Sequence, residues 1–362
     1  MSFSGKRGEF FRLARNGAAL ELVTFGFYRF WLATDIRRHL WSHTSVNGDA
    51  PEYTGRAREL LIGFLFALAI LVPIYVAYFL LSVEAERDQQ LSSTPLFVLF
   101  YMFGQFAIYR ARRYRLSRTV WRGIRFWMDG SGVTYALLSM LWGVAVLFTL
   151  GLALPWREAA LERYKMKHSY YGDLQGSFEG RGSEFFKQGW WLWLLVPVAY
   201  LFSPVAPFIY AAFKAVEWRW WISGVRFGDV RLVSRLRKSD LIDLYWKVIG
   251  WGLLLGLAYI VYLAIAVVVL VKLNGESFEQ FFEAQAIFKN VPLWVLAAIG
   301  YLILVLSINV TIRVYLLRDV WARVVASTTV HNIEAAMNVT ARGELAGALG
   351  EGLADGLDVA GF

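Results

Sequence analysis

One word occurs three times in this chain, always just ahead of an apolar run, and a chain that repeats such a unit has to pack the copies against one another. It reads Phe3-Ser-Gly-Lys-Arg-Gly-Glu-Phe-Phe11, then Tyr53-Thr-Gly-Arg-Ala-Arg-Glu-Leu-Leu61, then Phe178-Glu-Gly-Arg-Gly-Ser-Glu-Phe-Phe186. The shared pattern is an aromatic, any residue, Gly, a base, two of any kind, Glu and two apolar residues. A second word links Thr24, Gly26 and Trp31 with Thr149, Gly151 and Trp156, and at the same offset Arg38 matches Arg163 and His43 matches His168. A duplicated membrane unit is the simplest cause.

Composition points to a bilayer. Hydrophobic residues make up 57% of the chain and charged residues 18%, against an apolar share of ~45–50% in soluble domains. Apolar segments run over 60–81, 95–109, 135–154, 190–213, 248–271 and 291–309, and most approach the ~20 residues that a helix needs to cross the hydrocarbon core. Trp and Tyr, 16 and 18 in number, suit the belts formed at headgroup depth. There is no Cys, so disulfide and thiolate chemistry are excluded. The net charge of +9 sits in Lys and Arg at the ends of apolar runs rather than in a free basic domain. Cytoplasmic anchoring explains it, and no nucleic acid is expected as partner. Residues 1–9 lead straight into a segment carrying Arg12, Arg15 and Glu21, so no cleavable leader is read.

Charge distribution then sets the architecture. The stretches 82–94 and 276–283 are acidic, whereas nearly every other connection is basic, above all the run Arg110, Arg112, Arg113, Arg115, Arg118, Arg122 and Arg125. If the short apolar segments each crossed once, several Arg-rich connections would fall outside the cell, against the positive-inside bias. Breaks resolve this. Thr24-Phe-Gly26 and Thr149-Leu-Gly151 interrupt two segments, and Ser203-Pro204 with Pro207 interrupts a third. The expected build is five hairpins, at about 10–43, 60–120, 135–168, 187–221 and 244–325, each with both ends in the cytoplasm. The second and fifth hairpins have full spanning helices on this reading, and the other three are re-entrant or interfacial.

Between hairpins lie turn and strand signals. Asn47-Gly48 favours a two-residue hairpin turn. The stretches 121–126 and 222–227 read as copies of one strand. The expected fold is thus an all-α polytopic membrane protein built from repeated helical hairpins, with short cytoplasmic β-strands between them. A single integral membrane domain covers 1–342, and a disordered tail with many Gly and Ala and no base covers 343–362.

Candidate sites are few. In the recurring word, Lys6 with Glu9, Arg56 with Glu59 and Arg181 with Glu184 read either as a turn, an interfacial base and a helix-start acid, or as three corners that gather anionic headgroups or a phosphate-bearing solute. Broken helices are where transporters place solutes, so Thr24, Gly26, Thr149 and Gly151 are the candidate solute contacts. Glu21 and Arg29 lie in the first apolar unit, where an interfacial lie explains them. His39, His43, His168 and His331 lack the spacing and the carboxylates of a metal centre, and no cofactor or catalytic motif is read, so the chain is not expected to be an enzyme.

The words Phe-x-Gly-[Lys/Arg] and Thr-[Phe/Leu]-Gly ahead of Trp31 and Trp156, with the run His43-Thr-Ser-Val-Asn-Gly48, resemble the YjgN-like family of bacterial inner-membrane proteins over roughly residues 3–330. That family has no established activity, so the resemblance implies a location and a build and carries over no site residue. The chain departs from it at Leu150-Gly-Leu-Ala-Leu-Pro155, which is more apolar than Phe25-Gly-Phe-Tyr-Arg-Phe30. The functional expectation is a multi-pass inner-membrane protein with both termini cytoplasmic. Its role is read as transport or the handling of lipid or anionic solutes, with anionic headgroups as partners. The alternative is a scaffold that organises anionic lipid or recruits a cytoplasmic protein.

Overall fold

In the computed structural model, which describes residues 1–86, 94–275, 277–281 and 290–347, every helical hairpin leaves from one β-strand and returns to the next. β1 (Ser2–Phe3) leads into α1 (Arg7–Val23) and α2 (Arg29–Ser42), which return to β2 (Thr44–Ser45). β3 (Glu52–Tyr53) continues through α3 (Ala57–Glu86) and α4 (Thr94–Ser117) to β4 (Thr119–Trp121). The third unit is β5 (Ile124–Met128), α5 (Gly132–Phe148), α6 (Leu154–Lys167) and β6 (Ser169–Tyr171). The fourth is β7 (Leu174–Phe178), α7 (Gly182–Leu194), α8 (Val196–Leu201), α9 (Ala206–Gly224) and β8 (Val225–Phe227). The last is β9 (Val230–Ser234), α10 (Lys238–Asn274), the single turn α11 (Phe278–Phe281), α12 (Val291–Ala326) and β10 (Thr328–His331).

The all-α expectation is corrected here. Strands β3 to β10 pair in chain order as one eight-stranded antiparallel meander curved into a half-barrel, and β1 pairs with β2 separately. The Met1 amine donates to the Thr328 carbonyl on β10 at 3.1 Å, and Trp41 Nε1 donates to Thr119 Oγ1 on β4 at 3.1 Å, so the first unit bridges the open side of the half-barrel. Asn47 and Gly48 take the left-handed conformation between Val46 and Asp49, as that dipeptide requires. The stretches 121–126 and 222–227 are not one element twice. Gly123 turns β4 into β5, whereas Gly224 ends α9; a shared Gly marks a chain reversal in one and a helix stop in the other.

A hydroxyl at the first strand residue ends most of the returning helices. Thr44, Thr119, Ser169 and Thr328 donate to the carbonyls of Leu40, Arg115, Lys165 and Val324 at 2.7, 2.8, 2.8 and 2.7 Å, each adding a bond to the last turn of its helix, where carbonyls lack full intrahelical pairing.

Apolar clusters fill the seam between successive units and close them into a ring. Phe30 meets Ala57, Leu60 and Tyr114; Tyr109 meets Met128, Tyr135 and Leu161; Ala159 and Met166 meet Phe185 and Val216; Ala211 and Ala215 meet Leu241 and Leu244. The last seam joins α1 to α12, with Phe10 and Ala14 against Val310 and Val314. There α12 widens into a π-helical stretch, Arg313–Asp319, whose extra residue per turn re-aims side chains. Arg313 reaches Glu21 at 2.7 Å, Asp319 holds Arg7, and Arg318 donates to the Gly5 carbonyl.

Among the described residues three helices, Ala57–Leu80, Lys238–Asn274 and Val291–Ala326, are long and apolar enough to cross a membrane, which marks a membrane protein. Of the two arms of the second hairpin, α3 is among these three and α4, which turns basic from Arg110 onward, is not. Residues 87–93, 276 and 282–283 of the acidic connections lie outside the described residues, as does 348–362 of the tail. Gly343 packs against the Trp127 ring and Ala346 is buried.

Candidate functional site

The recurring word has a steric origin. At each strand end the aromatic ring folds over the Gly two residues on: a methyl added to Gly5, Gly55 or Gly180 would lie 2.7, 2.5 and 2.5 Å from the rings of Phe3, Tyr53 and Phe178. The Glu that follows sits in the first helical turn of α1, α3 and α7, at the positive end of the helix dipole. Beyond that the three corners differ. Lys6 and Glu9 face solvent 4.0 Å apart. Glu59 turns away from Arg56 and takes Tyr114 Oη at 2.7 Å and Arg118 Nη2 at 2.9 Å. Arg181 and Glu184 line a cavity.

Thr24 with Gly26 and Thr149 with Gly151 form the tips of the first and third hairpins. Phe25 and Leu150 adopt φ 50° and are 95% and 92% exposed, while Gly26 and Gly151 follow at φ 87° and 90°. The Thr hydroxyls knit each turn. Thr24 Oγ1 donates to the Leu20 carbonyl at 2.7 Å and accepts from the Tyr28 N–H at 2.9 Å; Thr149 Oγ1 does the same with Ala145 and Ala153 at 2.8 and 3.0 Å. The amides of Phe25, Gly26 and Phe27, and of Leu150, Gly151 and Leu152, all find carbonyls within their own turn. Such a turn presents bare apolar side chains with these amides already bonded, which lowers the cost of placing it in lipid. In the fourth hairpin Ser203–Val205 forms a 3₁₀ turn in the corresponding place.

A buried charge cluster, which the sequence reading did not single out, ties the second, third and fourth units. Glu162 on α6 lies 2.7 Å from both Arg112 on α4 and Lys165, and Arg112 stands over the Trp221 ring. Burial works to raise the Glu162 carboxyl, but the guanidinium and the ammonium outweigh it and hold it down at about 2. The basic run read as a lipid anchor is thus partly consumed by the fold: Arg118 is held by Glu59, Arg122 by Asp49 at 2.5 Å and Arg125 by the Ser117 carbonyl.

A polar cavity of about 690 Å³ opens at the fourth corner, between the start of α7 and the end of α9. Arg181, Arg219 and Arg226 line it, with Glu179, Glu184 and Ser223. Arg226 is engaged by Glu179 at 3.1 Å and Arg219 by Gln188 at 2.9 Å. Arg181 has no ion-pair partner among the described residues. Lys238 stands just outside over the Trp191 ring. This is a concave basic surface at the level where the helices leave the sheet.

The other face of the same strands is apolar. Arg226 points outward into the polar cavity, while its neighbours Val225 and Phe227 point into a second cavity of about 330 Å³ inside the half-barrel, as alternation along a strand demands. Trp121, Phe126, Tyr171 and Leu232 also line this chamber. Its few hydroxyls are already used: Thr44 accepts from Trp321 Nε1 at 2.9 Å, Thr119 accepts from Trp41 Nε1, and Tyr171 donates to the Trp121 carbonyl at 3.0 Å. Trp41 and Trp321 stack 5.1 Å apart at the end nearest the helices. Ile333 and Ala336, just past β10, cover the opposite mouth. Among the described residues no three His, Asp or Glu side chains converge on a metal position.

Residues 1–216 match a bacterial protein family of unknown function (DUF898), the YjgN-like family. The chain belongs to this family. The DUF898 match takes in the first three units and ends inside α9, so the polar cavity straddles its boundary, with Arg181 and Glu184 within it and Arg219 and Arg226 beyond. Searches of curated proteins and of solved structures found no match.

Proposed function

We propose that this membrane protein handles an anionic amphiphile or solute at the cytoplasmic face of the bacterial inner membrane, with the polar cavity of the fourth unit as its binding place. The observation that carries the reading is the gathering of Arg181, Arg219 and Arg226 in one cavity where the helices emerge from the sheet. Each cation held near a membrane surface contributes about 1 kcal/mol toward an anionic headgroup. Both ends of every hairpin return to one side of the sheet, and the basic connections lie there, which supports cytoplasmic termini and a multi-pass arrangement. The matching tips at Thr24 and Thr149 support descent of the units from one duplicated hairpin. On this reading those residues shape the lipid-embedded turn, and the solute site lies at the Arg181 corner instead.

Reconstitution in nanodiscs of equimolar phosphatidylglycerol and phosphatidylcholine, followed by native mass spectrometry, tests it. Retention of phosphatidylglycerol over phosphatidylcholine is expected. It should fall about fivefold for each of Arg181→Gln and Arg219→Gln, the equivalent of ~1 kcal/mol per cation, and not for Lys6→Gln. Equal retention of the two lipids, with no competition by inorganic phosphate, would overturn the reading.

A further inference from the structure

We propose that the chamber inside the half-barrel is a second site, which holds one hydrocarbon chain of a membrane lipid or fatty acid. It is separate from the polar cavity, since β8 carries Arg226 on one face and Val225 and Phe227 on the other. Its volume of about 330 Å³ lies in the range of small-molecule sites. The lining selects the chemistry. The hydroxyls of Thr44, Thr119 and Tyr171 are already committed to partners in the wall, so a polar solute would leave its own groups unsatisfied, whereas a methylene chain needs dispersion contact alone.

Geometry supplies the route and the stopper. The end walled by the Trp41–Trp321 stack lies where α2 and α12 meet the sheet, next to the lipid-facing hairpins. The opposite mouth is covered by the segment after β10. Ile333 and Ala336 enter the chamber, and the segment is held to the inter-unit turns by two exposed hydrogen bonds, Asn332 Nδ2 to the Asp229 carbonyl at 3.3 Å and Thr340 N–H to Asp173 Oδ1 at 3.0 Å. Few bonds therefore hold the cover in place.

Photocrosslinking in nanodiscs tests the proposal, with two probes in separate samples: a phosphatidylethanolamine bearing a diazirine near the end of one acyl chain, and a diazirine fatty acid. At least one probe should label peptides spanning 225–232 and 330–336, and which one does so identifies the source of the chain. Val230→Trp, which fills the chamber from β9, should cut that labelling at least tenfold while leaving the label on Val291–Ala326 unchanged. Val330→Phe, which fills it from β10, should do the same, so that a folding defect in one variant leaves the other to decide. Labelling confined to the hairpin helices, or chamber labelling unaffected by both substitutions, would overturn it. So would chamber labelling that emerges only after removal of residues 348–362, which would assign the space to the chain's own tail. None of these results depends on the Arg181 cavity.

Discussion

Replacing Glu162 with Ala destabilises the folded protein by about 3–5 kcal/mol, the usual cost of stripping one partner from a buried ion pair. Arg112 and Lys165 would then face each other across the seam of three units with no counter-charge. The effect should be far larger than that of Glu9→Ala, whose pair with Lys6 is open to solvent and whose loss should cost under about 0.5 kcal/mol. The same cluster makes stability fall in acid. Glu162 ionises at about 2 in the folded chain against 4.5 as a free side chain. Its depressed value means that the contribution is complete above pH ~4.5 and lost as pH drops toward ~2. Thermal unfolding in detergent across that window should show a steep decline in the parent and a shallower one in Glu162→Ala. If Glu162→Ala melts with Glu9→Ala and shares the parent's pH profile, the cluster does not hold the seam.

Leu150→Asp gives the second large effect. On an insertion scale Leu favours the bilayer centre by about 0.3–0.6 kcal/mol and Asp opposes it by about 2.5–3.5, so the exchange costs roughly 3–4 kcal/mol if the tip is embedded. The side chain at 150 is 92% exposed and touches almost nothing in the protein, so loss of packing cannot produce such a penalty. The expected outcome is a sharp fall in membrane-inserted protein after expression, with Leu150→Phe neutral. Equal insertion of Leu150→Asp and the parent would mean that the third hairpin lies outside the hydrocarbon region.

Hairpins were legible because their causes are local: a Gly beside a β-branched residue in an apolar run, and bases at the run's ends. Short strands between the hairpins were legible from turn signals such as Asn47-Gly48, but their pairing into one eight-stranded sheet was not, because each is 2–5 residues long and no single one carries an alternating pattern that sets its partner. A signal did exist in the Ser or Thr at 44, 119, 169 and 328, each ending a helix and opening a strand; aligned, those four positions mark the return of four hairpins to one sheet. The Arg181–Glu184 corner was visible as a word, but its cavity depends on Arg219 and Arg226, brought in by the other arm of the hairpin. Glu162 stands in an ordinary polar helix, and nothing in its neighbours foretells that Arg112, 50 residues away, closes over it.

On the proposed topology all five hairpins leave from and return to one side of the membrane. The natural absence of Cys allows a direct measurement with single replacements at Asn47, Arg122, Asp173 and Asp229, exposed positions in the four turns that join the units. In intact cells a membrane-impermeant maleimide should leave all four unlabelled, and in inverted vesicles it should label all four. Labelling of any one of them from outside the cell would contradict the architecture.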